Sequence, residues 1–401
     1  MRLAMIGPFG LEPKSTVRRR ALPLGRALAA RGHDVVIVMP PWHTPGHAPR
    51  RWQDDGVTLE YVALGPAMPV VRHGAIASRL VRRALDWRPD VVHCFKPKAH
   101  AGLAAWALWH LRRTGGPRLV VDEDDWEGPG GWNDREGYPA AARALFERQE
   151  RWGLRHADAV TVASRALEGI VWSLGVDPTT VHYLPNGAES QPPGDRLETR
   201  RRLGLQDRPT VLLYTRFAEF DPRRPLAVLR AVRDRVPDVT MLVVGQALAP
   251  EDDAAFDSAV SEDGLEECVV RTGWVAAEDV PDYLAAADVA LFPYDDTLVN
   301  RCKCSAKLIE LLAAGVPVVA DDVGQNREYI AHGDTGVLVP HGDVGAMAGA
   351  LATLLADAAQ RQRLGAASAR RMAGAFAWPT LADRVLDAYE GLVPERGATA
   401  R

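Results

Sequence analysis

Short runs of β-branched and aliphatic residues alternate along the chain with longer stretches rich in Ala, Leu and Arg, the rhythm of β-α-β units around a buried parallel sheet. In the first half the pattern predicts strands at Leu3–Ile6, Val35–Val38, Val57–Val62, Val91–Cys94, Leu119–Val121, Ala159–Val162 and Val181–Leu184. A helix is expected from about Ser15 to Ala30, closed by Arg31-Gly32-His33. The polar, Pro- and Gly-rich stretch Asn186 to Gly194 breaks the alternation. It resumes with strands at Val211–Tyr214, Met241–Val244, Val269–Arg271, Val289–Phe292, Pro317–Ala320 and Gly336–Val339. The tail beyond Asp343 reads as Ala-rich helix until Trp378-Pro379, where proline should break it before a last helix, Thr380–Leu392. The fold class is therefore α/β, with two tandem Rossmann-like domains, 1–186 and 187–378.

A length of 401 residues accommodates two or three domains at about 150 residues each. With 48 Lys and Arg against 52 Asp and Glu, the formal charge is −4, and neither a polybasic nucleic-acid binder nor an acidic disordered tail fits. Four cysteines in a chain this long make no disulfide framework, so a cytoplasmic setting is expected. The amino terminus lacks the long apolar core of a signal peptide, and no window approaches the roughly 20 apolar residues of a membrane span. The stretch Arg72 to Arg88 is amphipathic and basic; a solvated outer helix face explains it better than peripheral membrane contact.

The chemistry concentrates in Asn300 to Ala320. Ser305 is a good N-cap and Gly315 a good C′ residue, which places a short helix before the strand at Val318. Unpaired N–H groups at its amino end, with Lys303 and Lys307 expected on its first turn, suit a diphosphate. Glu310, a turn further, can accept hydrogen bonds from vicinal hydroxyls, as carboxylates do with ribose.

This segment resembles the donor-binding signature of glycosyltransferase family 4. The resemblance extends over nearly the whole chain, through Ala29-Ala-Arg-Gly-His-Asp-Val35, Pro89-Asp-Val-Val-His93, Leu184-Pro-Asn-Gly187, Arg271-Thr-Gly-Trp274 and Gly333-Asp-Thr-Gly-Val-Leu-Val339. It implies a GT-B fold, two Rossmann-like domains facing across a cleft, with a C-terminal helix, 379–392, returning to the first. It also implies a retaining, metal-independent transfer from a nucleotide-diphosphate sugar to a small-molecule, glycan or lipid acceptor, with no further cofactor and no nucleic acid. Oligomeric state is not legible. The donor would be held by Gly10, Asn186, Arg216, Arg223, Trp274, Lys303, Ser305, Lys307 and Glu310.

The chain departs from the family pattern in three places. Of the family's two spaced glutamates, the second falls on Glu310 and the first on Cys302. Where relatives keep a lysine after the arginine matched by Arg216, this chain has Asp221, leaving Arg223, Arg224 or the lysines of the helix to substitute. A family histidine is replaced by Asp124 and Asp125. Asp124, Asp125, Arg216 and Lys307 are the catalytic candidates, in stabilising roles. His93, Lys96 and Trp126 are the acceptor-side candidates, and Trp42 and Trp132 are further loop aromatics that either pack or stack on an acceptor. Asp122 and Asp124 have the spacing of a metal motif, and Cys302 and Cys304 lie one residue apart, but neither metal reading is favoured. A sugar-nucleotide epimerase or hydrolase on the same fold and a non-catalytic two-lobed binding protein are the alternatives.

Overall fold

The computed structural model describes residues 1–14, 16–66, 68–112 and 115–393. It divides into two compact units, one of Met1–Gly187, Cys302–Cys304 and the segment from Ala377, the other of Ala188–Arg301 and Ser305–Phe376.

Unit 1 is built on β1 (Arg2–Ile6), β2 (Asp34–Met39), β3 (Arg50–Asp54), β4 (Val57–Tyr61), β5 (Val91–Phe95), β6 (Arg118–Glu123), β7 (Ala159–Val162) and β8 (Val181–Tyr183), in the order β3-β4-β2-β1-β5-β6-β7-β8. All pairs are parallel except β3 with β4. The central strands read as apolar runs because helices cover both faces of a parallel sheet. The antiparallel edge strand β3 was not expected. Its sequence, Arg-Arg-Trp-Gln-Asp, is polar, as an unpaired edge tends to be, and so carries little hydrophobic signal.

The first helix begins as a wide π turn, Val17–Ala21, and continues as the α-helix Leu22–Ala29. Pro23, which lacks an N–H for the backbone ladder, follows directly on that π turn. Ser15, the expected start, lies outside the described residues. The helix Pro69–Asp86 buries Ile76, Leu80 and Ala84 and packs on β1 and β2. The last helix, Trp378–Glu390, packs on Leu22–Ala29, with Trp378, Leu381, Val385 and Tyr389 in the core of unit 1. Pro379 opens this helix rather than ending the one before it.

Unit 2 carries β9 (Thr210–Tyr214), β10 (Thr240–Val244), β11 (Val269–Arg271), β12 (Val289–Phe292), β13 (Val318–Asp321) and β14 (Val337–Val339), all parallel, in the order β11-β10-β9-β12-β13-β14. In both units the strand order reverses beside the first strand, between β1 and β5 and between β9 and β12. Doubly wound sheets bind ligands beyond the strand ends at such switch points. The loops that matter are thus those after β1 and β5 in unit 1 and after β9 and β12 in unit 2. No helix among the described residues is long and apolar enough to cross a membrane.

Candidate functional site

In unit 2, Ser305 caps the helix Ala306–Ala313 by accepting from the Leu308 N–H. Lys307, in the first turn, sets its ammonium 3.6 Å from the centre of the Tyr214 ring. The Tyr214 hydroxyl, at the end of β9, donates to Glu310 Oε2 at 2.9 Å. Tyr214 thus holds the cation and the carboxylate on neighbouring turns of one helix, a role its place at the end of an apolar run did not reveal. Arg216 follows two residues later at the switch point, its Nε 3.5 Å from Glu219. Trp274 follows β11 and is 74% exposed, the second most exposed large hydrophobic side chain among the described residues.

Arg223 is largely solvent-exposed and lies 3.5 Å from Glu262. The enclosed cation of that loop is Arg224, 2.8 Å from Asp321. One expectation is corrected here: Lys303 is not on the first turn of the helix Ala306–Ala313. It belongs to the three-residue segment that clusters with unit 1, where it is buried with its ammonium 5.5 Å from the centre of the Trp132 ring.

In unit 1, Gly10 lies in the loop after β1, and a Cβ there would come within 3.1 Å of the Tyr61 ring. The loop after β5 runs through two non-glycine residues in the left-handed region, Lys96 at φ 48° and Ala99 at φ 51°. Such conformations cost of order 1–3 kcal/mol and persist where surrounding contacts enforce them. Here the Gln149 side chain bonds both the N–H and the carbonyl of Ala99, at 2.8 and 3.0 Å. The strained loop drives Lys96 into a nest of carboxylates, 2.8 Å from Asp125, 3.3 Å from Asp124 and 3.5 Å from Glu127. Lys98 pairs with the other oxygen of Glu127 at 2.7 Å.

The two aspartates differ in acidity. Burial pushes Asp124 up to about 6 against the pull of Lys96, whereas Asp125 is held below its ordinary range by Lys96, with Lys303 helping, in spite of burial. Behind them, burial and the charge of Glu127 push Glu150 up to about 8, although its Oε1 accepts from the Glu127 N–H at 2.8 Å. Burial next to Glu150 raises Glu123 well above the carboxylate range, and neither of its oxygens has a hydrogen-bond partner among the described residues. The run Asp122-Glu-Asp-Asp-Trp-Glu127 signalled this cluster; Lys98 and Glu150 had no comparable signal.

His93 and Trp126 are corrected as acceptor-side residues. His93 points into the core, 1% exposed, with both ring nitrogens engaged. Arg20 holds both oxygens of Asp122, at 2.7 and 2.6 Å. Thr161 donates to Asp122 at 2.5 Å, so toward His93 its oxygen accepts, at 3.0 Å from Nε2. Nδ1 is then the lone pair that accepts from the Tyr389 hydroxyl at 2.6 Å. Burial pulls this neutral imidazole down to about 4. Trp126 is 5% exposed and spends its indole N–H on the Pro129 carbonyl, anchoring its own loop. Arg20 was also missed, yet its spacing from Val17, Leu24 and Ala27 puts it on the buried face of its helix. Its third bond, 3.1 Å to Asn186 Oδ1, fixes the residue expected to bind donor; the Asn186 N–H meets Cys304 Sγ at 3.2 Å. All four cysteines are free and buried.

Models of two glycosyltransferase domains match the chain. "Glycosyl transferase 4-like domain" covers residues 15–187 and "Glycosyl transferases group 1" covers 208–357. The chain belongs to glycosyltransferase family 4. A phosphatidyl-myo-inositol mannosyltransferase of Mycobacterium leprae (strain TN) is 27% identical over 407 residues, covering 97% of this chain and 96% of that protein. A GDP-mannose-dependent alpha-mannosyltransferase of Mycolicibacterium smegmatis (strain ATCC 700084 / mc(2)155) is 27% identical over the full length of both. Among solved structures, sucrose-phosphate synthase from Thermosynechococcus elongatus superposes with a TM-score of 0.74 at 22% identity, covering 98% of this chain and 99% of that one. That likeness is one of fold, the GT-B architecture. The family 4 enzyme described here is a nucleotide-sugar-dependent glycosyltransferase.

Proposed function

We propose that this enzyme transfers a hexosyl group with retention and without a metal ion, from a nucleotide-diphosphate sugar bound to unit 2, with GDP-mannose the first donor to try. The observation that carries the reading is the Lys307–Tyr214–Glu310 arrangement beside Arg216 at the unit 2 switch point. Arg216 and Lys307 bring two fixed positive charges to offset the developing charge of the leaving diphosphate, the work a metal does elsewhere. Glu310 accepts from the ribose hydroxyls, and the capped helix N-terminus and Trp274 complete the donor side. The leaving phosphate takes the proton of the incoming nucleophile, so no protein nucleophile is required. Asp125, kept ionised by Lys96, orients the acceptor hydroxyl, and Asp124 stands beside it. Both aspartates face lysine, an arrangement that suits neutral-substrate orientation better than cation binding. A cytoplasmic site of action accords with four reduced, buried thiols. The supporting experiment is calorimetric titration with UDP-, GDP-, ADP- and TDP-sugars, followed by mass spectrometry of products. One nucleotide series should bind and yield a glycosylated acceptor; release of free sugar alone, with every acceptor tested, would favour a hydrolase.

A further inference from the structure

The turn that presents Arg216 is strained, and the residues that hold the strain lie outside the donor set. Phe217, directly after Arg216, sits in the left-handed region at φ 57°, a conformation that a bulky side chain keeps only where its surroundings enforce it. The backbone on either side of it is pinned. The Thr215 N–H bonds the Val244 carbonyl at 2.9 Å, and the Leu248 N–H bonds the Arg216 carbonyl at 3.1 Å. A Cβ on Gly245 would come within 2.0 Å of the Thr215 carbonyl oxygen, so the chain leaving β10 meets this turn backbone to backbone. The Thr215 hydroxyl closes the turn by accepting from the Phe217 N–H at 2.8 Å. None of these bonds fixes the Phe217 side chain, whose packing must supply the rest of the constraint.

The Phe217 ring is 2% exposed, its centre 5.0 Å from that of Phe256 and 5.9 Å from that of Phe220. Arg271, the last residue of β11, is in register with Val243, and Val243 with Leu213, on the sheet face that Phe217 and Phe256 cover. Its guanidinium lies 5.7 Å from the centre of the Phe217 ring and 5.3 Å from that of Phe256. Two carboxylates of the helix Pro250–Glu262 fix it there, Asp253 at 2.5 Å from one terminal nitrogen and Asp257 on the other. A guanidinium over an aromatic face attracts the ring, and one held by two charge-assisted bonds cannot follow that ring elsewhere. We infer that Arg271 is a positioning residue for Arg216: clamped by Asp253 and Asp257, it keeps Phe217 in the left-handed turn and so fixes how Arg216 is presented at the end of β9. This rests on the donor role proposed above for Arg216 and extends that role to a residue two strands away that does not itself touch the donor.

The test is a double-mutant cycle on the full chain, read by calorimetric titration with GDP-mannose, or whichever nucleotide sugar of the series binds, alongside thermal midpoints. Arg271→Met keeps an apolar stem against the rings and removes the charge with both ion pairs; Arg216→Met removes the cation it positions. Arg271→Met alone is expected to weaken nucleotide-sugar binding roughly fivefold or more, and in the Arg216→Met background to change it less than about twofold, because its effect passes through Arg216. Asp253→Asn with Asp257→Asn leaves Arg271 in place but unclamped, and should reproduce at least about a twofold loss that again vanishes in the Arg216→Met background. Equal losses in both backgrounds would show that Arg271 serves the site through general stability or through its neighbour Trp274, and would overturn the proposal. So would binding by Arg271→Met within about twofold of wild type. Either result leaves the donor site standing. Wild-type affinity in Arg216→Met would remove Arg216 from the site and this inference with it, and a wild type that binds no nucleotide sugar would overturn the transferase reading itself.

Discussion

At the scale of single residues, the proposed donor side would rest on charged hydrogen bonds, worth about 1.5–3 kcal/mol each. Glu310→Ala and Arg216→Ala are therefore expected to weaken nucleotide-sugar binding roughly 10- to 150-fold by calorimetry, with the thermal midpoint little changed for the half-exposed Arg216. Equal affinity in both variants would remove these residues from the site. The carboxylate nest of unit 1 makes a different prediction, through pH. Glu150 ionises near 4.5 in an unfolded chain and near 8 in the fold. Its contribution to stability is thus full below pH 4.5 and is lost as pH rises through 8. Glu150→Gln should flatten that decline, which urea midpoints at pH 5, 6.5 and 8 would register; an unchanged slope would mean that Glu150 is ionised in the fold. His93 acts on the other limb. Its imidazole titrates near 6.5 unfolded and near 4 folded, so its contribution is present above pH 6.5 and is lost as pH falls toward 4.

Elements were legible in the sequence where they are apolar and central. The runs Val35–Val38, Val211–Tyr214 and Val289–Phe292 are strands because a parallel sheet covered on both faces demands continuous burial. Strand β3 was hidden because an edge strand is protected by polar residues, the reverse of the signal that marks a strand. The donor helix was legible from Ser305 and Gly315, whose effects are local. The fate of His93 was not, because partners decide it: His93 meets Tyr389 across 296 positions of sequence. The last helix makes a test at this scale. Trp378, Leu381, Val385 and Tyr389 are each at most 3% exposed in the core of unit 1. Truncating large buried side chains costs about 2–5 kcal/mol apiece, so deleting everything after Ala377 should leave unit 1 aggregating and inactive together. A truncated chain that stayed soluble, monomeric and active would show that this helix is dispensable.

At the scale of the whole molecule, two doubly wound sheets each present one switch point, and the chemistry of the two differs. Unit 2 offers cations and the Tyr214-bound carboxylate of Glu310, proposed above to meet the ribose. Unit 1 offers a lysine-bound aspartate pair. Of the departures from the family signature, those at Cys302, Asp124 and Asp125 lie on unit 1 by contact, although Cys302 falls within the donor motif by sequence, and the one at Asp221 lies on unit 2. The mechanism proposed above carries a stereochemical consequence. If no protein nucleophile takes part and the leaving phosphate takes the acceptor proton on its own face of the sugar, the new bond forms on the face the old one leaves. The most direct measurement is the anomeric configuration of the first product, read by NMR one-bond carbon–proton coupling, from an α-linked nucleotide sugar in excess EDTA. An α-linked product formed at an undiminished rate is the predicted result. A β-linked product, or loss of activity that magnesium restores, would contradict the account.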